Sequence, residues 1–469
     1  MVGDYSNDQW TLIDDLGYEN FVKNLETVIF NAKPPFTLGV YGGWGIGKTS
    51  IMKQLYFRIG GQLPSFLLPL SNDVNQEKID VEMQREIDKW KEERKKNRKP
   101  DQIAVWFNPW QHQFEKNPVI GLLQEIREHF NFFSKAAGEA KKLLTTTVRS
   151  GLGILSGLIK ELTKIDVDVD KIEQYGTRYE TENFDIKSSS QKFRLLFEKA
   201  VDELVGSKKD RLFIFIDDLD RCTDEHIVKL LEGIKLYLST SNCIFIFGMD
   251  QRNVIKALEK QNIDREYLDK LFQGIIRIPL SKNYEAFIEK IVTNYFPGTG
   301  TVGLSKLLSD ILEKNPRKVK NFLNSFRAYW EMQNPGHELD IKIAVLFHYL
   351  RLYYEPVFSI LERNPDYTRN LINVCKNESP NEIVEHLFYK YLKNPIVEGF
   401  PSTGEEENRE VVPSTVSDKD MEYMEDISTR FEALNKFKEH FVNYTGLNLT
   451  LKKNTSALIS KYLGVIENG

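Results

Sequence analysis

The chain has 469 residues, of which 41% are hydrophobic and 28% are charged, and this balance excludes wholesale disorder. The length corresponds to about three domain equivalents, or to one large domain with appendages. The 63 Lys and Arg residues against 68 Asp and Glu residues give a net charge of −5, which argues against a chain-wide grip on nucleic acid. The 3 cysteines are too few for a disulfide framework and do not match metal-ligand spacing.

The sequence does not open on a secretory signal, so we expect a cytoplasmic protein. One segment, 143–159, is a candidate membrane span. It is interrupted by Arg149, and its clean apolar run over 152–159 is far shorter than the ~20 residues that a span needs. We therefore interpret the segment as a packed or interfacial helix and expect no membrane span.

Hydrophobic periodicity predicts alternating helices and strands. A helical pattern over 18–32 ends at two prolines, and a buried strand over 36–41, a glycine-rich turn and a helix over 49–59 follow. Continuous apolar strands separated by helices are typical of a parallel sheet covered on both faces. The later strands are predicted over 102–108, 212–216, 243–247 and 275–278, and the later helices over 79–97, 118–162, 191–205, 224–238 and 251–261.

These elements predict an α/β fold, a parallel sheet flanked by helices, with a helical insertion over about 118–190. Beyond residue 280 the pattern is helical, and an acidic stretch over 398–420 is predicted to be a mobile loop. The resulting division is a core over 1–283, a helical segment over 284–338 and a C-terminal helical region over 339–469. Neighbouring aromatic residues in the last region predict a surface for a partner or for self-assembly: Phe347, Tyr349, Tyr353 and Tyr354.

The segment after the first strand fits the pattern G-x-x-x-x-G-K-[ST] and stands directly between a buried strand and a helix. Glycines are needed there because the backbone curls around phosphates with its N–H groups pointing inward. The helix adds its positive N-terminal end. Lys48 is expected to reach the β- and γ-phosphates, and the Thr49 hydroxyl to ligate Mg²⁺. The predicted nucleotide-binding residues are Gly42, Gly43, Trp44, Gly45, Ile46, Gly47, Lys48, Thr49 and Ser50.

Two carboxylates follow the apolar strand over 212–216, at the edge of the sheet where ligands usually bind. We predict that the first, Asp217, holds Mg²⁺ through water. The second, Asp218, is predicted to orient or deprotonate the attacking water. The alternative interpretation is that the pair caps the next helix.

Four segments together resemble the KAP P-loop NTPases, a family of STAND-related ATPases that includes a plasmid-encoded phage-exclusion protein. The most specific segment is the string Asp-Asp-Leu-Asp-Arg-Cys over 217–222, and the others are the loop over 42–49, the block Trp-Phe-Asn-Pro-Trp over 106–110 and Gly-Met-Asp over 248–250. The resemblance covers roughly 10–330. It implies a P-loop ATPase core whose cofactors are ATP and Mg²⁺. Many members carry transmembrane helices between the two nucleotide motifs, whereas this sequence offers only the weak segment described above.

Three further residues acquire roles through the resemblance. Asp250 matches a polar sensor of the γ-phosphate, and a cap for the following helix is the alternative. Arg221 is expected either to contact phosphate or a neighbouring subunit, or to pair with Asp220 or Asp224. Arg317 stands at a helix start and resembles the lid arginine that related ATPases bring onto the γ-phosphate. A plain surface arginine is its alternative.

The resemblance implies that the segment over 284–338 is a helical lid, which Arg317 would carry. It also favours an ATP-hydrolysing switch that controls assembly or a protein partner, with a role in bacterial antiphage defence. A modest preference for ATP follows from the lack of a guanine-reading Asn/Thr-Lys-x-Asp string in the expected place.

Two alternatives stay open. One is a nucleic-acid-stimulated motor or clamp that uses the basic run over 89–99, although such runs are usually solvated helix faces. The other is a scaffold in which the nucleotide is only structural. Trp106 and Trp110 could stack on nucleic acid, but packing in the core is the favoured interpretation for both.

Overall fold

A computed structural model describes residues 6–62, 80–97, 102–113, 118–133, 189–205, 211–235, 242–297, 301–333, 339–364 and 432–446, with single positions near 368–375 and at 459. The chain divides into two compact units. One unit is Gln9–Leu280, and the other combines Met1–Asp8 with Ser281–Gly469.

The unit Gln9–Leu280 is built on a parallel sheet, which in the described residues has five strands in the order β2-β3-β4-β1-β5. Each strand reads as a nearly continuous apolar run because both faces of the sheet are covered. The predicted α/β fold is therefore confirmed. The strands are β1 (Phe36–Tyr41), β2 (Ile103–Phe107), β3 (Leu212–Ile216), β4 (Cys243–Met249) and β5 (Gly274–Arg277).

Side chains alternate between the two faces of the sheet, and each face packs on its own set of helices. Phe213 and Phe215 of β3 lie in one core, whereas Ile214 and Ile216 lie in the other. The first core is shared with α1 (Glu19–Asn31), α2 (Lys48–Arg58) and α3 (Val81–Lys96). The second is shared with α4 (Pro118–Phe133), α5 (Ser189–Val205), α6 (Asp224–Gly233), α7 (Gln251–Lys260) and α8 (Glu266–Leu271).

The strand order determines which chain segments meet at the carboxyl edge of the sheet. β4 lies between β1 and β3, and its register pairs Met249 with Tyr41 and Phe247 with Ile216. The residues that follow these three strands therefore emerge side by side. This edge is where ligands bind in open α/β sheets.

The second unit is helical in its described residues. Its helices are α9 (Tyr284–Tyr295), α10 (Leu304–Ile311), α11 (Pro316–Gln333), α12 (Ile341–Tyr353) and α13 (Glu355–Arg363), followed by a helix over 432–441 and a π-helical turn at Val442–Gly446. Almost every residue of α12 from Ile341 to Leu350 is buried, so this helix is central to the unit.

Three of the four aromatic residues that suggested a packing surface lie inside this unit and not on a face open to a partner. Phe347, Tyr349 and Tyr354 are buried. The ring of Tyr349 stacks on Phe437 with centroids 5.1 Å apart, and Phe347 meets Phe441 edge-on at 5.8 Å. The helix over 432–441 therefore covers these rings, and they belong to the core of this unit.

Two elements beyond the general helical pattern were not specified by the sequence. The helical pattern over 339–361 forms two helices that meet at Tyr354, because Pro356 stands in the first turn of α13 and cannot continue the preceding helix. The short helix α8 was not predicted from the sequence.

The candidate membrane segment over 143–159 and the acidic stretch over 398–420 lie outside the described residues, as does most of the predicted insertion. In the part of the chain that the structure describes, no helix combines the length and the apolar character needed to cross a membrane.

Candidate nucleotide-binding site

The loop between β1 and α2 has the backbone of a phosphate cradle. Gly45 and Gly47 have φ angles of 79° and 98°, in the left-handed region that favours glycine. Gly47 is also the N-cap of α2 and, as a glycine, offers no side chain to bond the first N–H groups of the helix. A helix start without a side-chain cap favours the binding of an anion.

The ammonium group of Lys48 lies against the beginning of the same loop. Its Nζ donates to the carbonyl oxygens of Gly42 and Gly43 at 3.0 and 3.2 Å, and the side chain is buried. The loop is tied to the sheet by the Gly42 N–H, which donates to the Met249 carbonyl at 3.3 Å. The cation is thus held inside the loop where phosphates would bind.

Asp217 is buried directly after β3 and hydrogen-bonds the hydroxyl of Thr49. Its Oδ1 has no hydrogen-bond partner among the described residues. Burial raises the pKa of Asp217 to about 7, and the neighbouring charge of Asp218 adds to that rise. A hydroxyl beside a carboxylate with one unpaired oxygen is a donor set that fits Mg²⁺.

The missing side chain of Gly248 leaves space for the Asp217 carboxylate. A Cβ added to Gly248 would lie 2.7 Å from the Oδ1 of Asp217 and 2.2 Å from the sulfur of Met52. Only glycine at this point of β4 leaves room for the carboxylate and for the phosphate-loop helix together.

The carboxylate of Asp218 is engaged at both oxygens. Oδ1 pairs with Nε of Arg221 at 2.8 Å, and Oδ2 accepts from the Asn108 amide at 3.1 Å. Burial raises the pKa of Asp218, while the Arg221 charge and the Asn108 hydrogen bond lower it. Asp218 makes no side-chain cap bond to the short 3₁₀ turn that follows, so the capping alternative is not realised for this residue.

Trp44 links the phosphate loop to the segment after β3. Its Nε1 donates to Asp220 at 2.6 Å. Arg221 stands over the rings of Trp44 and Trp110, 6.0 and 5.7 Å from their centroids. Arg221 pairs with Asp218, and not with Asp220 or Asp224, the two partners considered in the pairing alternative.

Trp106 within β2 and Trp110 just after it differ in their exposure to solvent. Trp106 stacks on Phe215 with centroids 6.0 Å apart, in agreement with the packing interpretation. Trp110 is 43% exposed, so packing in the core is wrong for this residue. It lies on the 3₁₀ turn Pro109–His112, which carries it out of the core.

Asp250 caps α7 and also holds an arginine. Its Oδ1 accepts from the backbone N–H of Arg252 at 3.1 Å, which is the capping alternative considered for this residue. The guanidinium of Arg252 pairs with both carboxylate oxygens, at 3.3 and 3.2 Å. A Cβ on Gly43 would lie 3.7 Å from Nη2 of Arg252, so the guanidinium adjoins the phosphate loop.

Two residues predicted for the site, Ser50 and Arg317, have their side chains engaged away from the phosphate loop. The Ser50 hydroxyl oxygen accepts from the Thr11 N–H at 3.1 Å, so it is engaged with the N-terminal segment of its unit. Arg317 belongs to the second unit, where it begins α11 and pairs with Asp8 at 2.5 Å.

Sequence reasoning missed Asn108 and Arg252. Asn108 could have been found, because it follows β2 and the polar residues after neighbouring parallel strands meet at one edge. Arg252 also follows a strand, but its approach to Gly43 could not be predicted, since it depends on side-chain direction and on β4 lying beside β1.

The basic run over 89–99 shows the contacts of a solvated helix end. Lys89 pairs with Glu86 at 3.1 Å, and Lys91 with Asp88 at 3.8 Å, both within α3. The buried Arg94 donates to the last carbonyls of α2, those of Phe57 and Arg58. The described part of this run thus favours a structural role over a nucleic-acid contact.

Comparison with known protein families also identifies a P-loop domain in this chain. A family model for the KAP family P-loop domain matches residues 18–332, well over half of the chain. Among solved structures, the Walker-type ATPase PABY2304 of Pyrococcus abyssi is similar at 11% sequence identity and a TM-score of 0.32, over 82% of this chain and 92% of that chain. This likeness is too low to carry a conclusion. No curated protein matches the sequence. Because the family match spans both the phosphate loop and the acidic end of β3, the chain belongs to the KAP family of P-loop domains.

Proposed function

We propose that this protein is a Mg²⁺-dependent ATPase whose nucleotide cycle switches a protein partner or its own assembly. One observation carries the proposal: the buried Asp217 meets the Thr49 hydroxyl next to the phosphate loop and keeps one oxygen without a partner. A buried carboxylate oxygen without a partner is costly unless a ligand satisfies it. Mg·ATP would satisfy it.

Thr49 and Asp217 would hold the metal, which when bound supplies positive charge at the phosphate oxygens. Lys48 and the first N–H groups of α2 would bind the β- and γ-phosphates. These groups stand ready on the rigid end of a buried sheet, so positioning and electrostatics would carry most of the catalysis.

Asp218 is the candidate base in this scheme. Its carboxylate would accept a proton from water as the water oxygen bonds to the γ-phosphorus and the bond to the ADP oxygen breaks. Arg221 and Asn108 hold the carboxylate from two sides and so orient it. They would give Asp218 a fixed direction before the substrate arrives.

The Trp44–Asp220 hydrogen bond supports the switch. It joins the phosphate loop to the segment that carries Asp218 and Arg221, so a change in the loop reaches the exposed Trp44, Arg221 and Trp110. Loops ordered by a γ-phosphate and released after hydrolysis are a common switching device. The further proposal of a role in antiphage defence is supported by the family resemblance alone.

The first test is thermal stability with and without Mg·ATP. A ligand at 100 times its Kd stabilises the folded state by about 2.7 kcal/mol, so the wild-type protein should melt at a higher temperature. Lys48→Ala should abolish this shift, and the matched control Lys256→Ala should retain it. Wild-type ATP affinity of Lys48→Ala in a calorimetric titration would overturn the assignment, and turnover that rises on adding DNA would favour the motor or clamp.

A further inference from the structure

Arg252 lies at the carboxyl edge of the sheet, just beyond the end of β4. It is the second residue of α7, which begins directly after β4. Because β4 lies between β1 and β3, the start of α7 emerges between the phosphate loop and Asp217. This topology brings the first turn of α7 to the phosphates of a nucleotide held by that loop.

Asp250 fixes the direction of the Arg252 side chain. Nε and Nη2 of the guanidinium pair with the two oxygens of Asp250, at 3.3 and 3.2 Å, in the fork arrangement that arginine favours. The Asp250 side chain is 9% exposed, whereas that of Arg252 is 54% exposed. The carboxylate is thus a buried anchor, and the guanidinium stays accessible to a ligand.

The guanidinium adjoins the same loop residues as the Lys48 ammonium. Nη2 of Arg252 would be 3.7 Å from a Cβ on Gly43, and Nζ of Lys48 donates to the Gly42 and Gly43 carbonyls. Since the lysine of this loop reaches the β- and γ-phosphates, the beginning of the loop marks the γ-phosphate end of the site. Two cations that adjoin one short segment match the most highly charged end of a triphosphate.

We propose that Arg252 binds the γ-phosphate and that Asp250 is its positioning residue, an inference that rests on the proposed nucleotide function. Arg252, a residue of the unit Gln9–Leu280, would then let the site distinguish a nucleoside triphosphate from a diphosphate. Arg317, for which the sequence predicted the γ-phosphate contact, is not needed for this discrimination. Asp250 acts on the nucleotide only through the arginine that it orients.

The test compares the Kd values of Mg·ADP and of a non-hydrolysable Mg·ATP analogue, measured by calorimetry on the full chain. Arg252→Ala should raise the Kd of the ATP analogue about 10-fold to 100-fold, the range for a lost charge-assisted bond, and leave the Kd of ADP unchanged. Arg252→Lys should recover part of the loss, because it restores the charge without the fork. Asp250→Asn keeps a capping side chain but removes the anchor, so it should show a smaller selective loss.

Lys256→Ala is the matched control, since it removes an exposed cation one turn further along α7. It should leave both Kd values unchanged. An equal loss for both nucleotides in Arg252→Ala, or no loss, would overturn the inference, as would a selective loss in Arg317→Ala instead. If the wild-type protein binds neither nucleotide, the proposed function itself fails.

Discussion

Asp218 combines a left-handed backbone with a carboxylate held on two sides. Its φ and ψ are 59° and 26°, a conformation that Asp and Asn adopt more readily than other side chains. The carboxylate lies between Arg221 and Asn108. Substitution by Asn preserves the backbone and the shape of the side chain and removes the charge, and it replaces one of the two acceptor oxygens by an amide donor.

We expect Asp218→Asn to bind Mg·ATP with wild-type affinity and to lose about 10²-fold or more in kcat, the usual effect of losing a general base. Asp217→Asn should instead weaken binding and turnover together, because its oxygen is the candidate metal ligand. Single-turnover hydrolysis and nucleotide affinity, measured for both variants, check this division. Wild-type hydrolysis by Asp218→Asn would exclude it as the base.

The sequence predicted those parts of the site whose residues lie close together along the chain. The loop from Gly42 to Thr49 and the two acids after β3 were recognisable because their spacing follows from one strand and one turn. The carboxylate partner of Arg221 and the place of Arg252 were not recognisable, since they depend on side-chain direction and on strand order. The pairing of Arg221 with Asp218 illustrates this, because Asp220 is its neighbour in sequence and Asp224 is as far from it as Asp218, so sequence distance does not single out Asp218.

Strand β4 is more constrained than its neighbours because the Asp217 carboxylate rests against it. Gly248→Ala would place a Cβ within 2.7 Å of Asp217 and 2.2 Å of Met52. We expect a loss of about 1–3 kcal/mol in the free energy of unfolding, as for other overpacked cores, and weaker Mg·ATP binding.

Denaturant unfolding and calorimetry measure the two effects of Gly248→Ala. The control is Gly274→Ala in β5, where the nearest atom would be the end of the Leu38 side chain at 3.2 Å. That variant should lose less stability and no nucleotide affinity. Equal effects of the two substitutions would show that the close approach of Asp217 to β4 has no special cost.

Helix α12 carries a buried histidine that predicts a pH dependence. His348 is 1% exposed, contacts the rings of Phe322, Phe326 and Tyr329, and has no hydrogen-bond partner for either ring nitrogen among the described residues. Burial, with a smaller contribution from the charge of Arg351, lowers its pKa from 6.5 to about 3. The folded unit therefore keeps the ring neutral.

Below pH 6.5 the unfolded chain takes up a proton at His348 that the folded chain does not, so the contribution of His348 to the free energy of unfolding should fall as the pH falls. The loss from this one group is about 2 kcal/mol between pH 8 and pH 5. His348→Leu should remove that loss and should be at least as stable at pH 8, because two unpaired polar atoms disappear. Urea midpoints at both pH values check this, and parallel pH dependence of the two proteins would contradict it.

The same helix shows why element boundaries resist sequence analysis. The apolar pattern over 339–361 runs through Pro356 without interruption, so periodicity alone gives one helix where the backbone makes two. The aromatic residues of α12 gave no sign of which chain segment would cover them, and the helix over 432–441 lies some 80 residues further on in sequence. Strands such as β1 and β3 were easier, since a buried run between turns has few other interpretations.

The division of the chain places every proposed phosphate-binding and metal-binding group except Arg317 within Gln9–Leu280. We therefore expect the fragment 9–280 to bind Mg·ATP with an affinity close to that of the full chain. Calorimetry on the fragment measures this, with circular dichroism to establish that it is folded. A folded fragment without nucleotide binding would show that residues beyond 280 contribute to the pocket.

The hydrogen bond between Trp44 and Asp220 places a fluorescent side chain where it can report on the phosphate loop. The indole is 52% exposed, and its N–H is bound to a carboxylate on a different loop. Indole fluorescence responds to the polarity and hydrogen bonding of the ring, so the protein carries an intrinsic optical probe inside the loop that is proposed to bind phosphate. Stopped-flow emission, compared with a Trp44→Phe protein, would then follow nucleotide arrival, cleavage and release in real time without any attached dye.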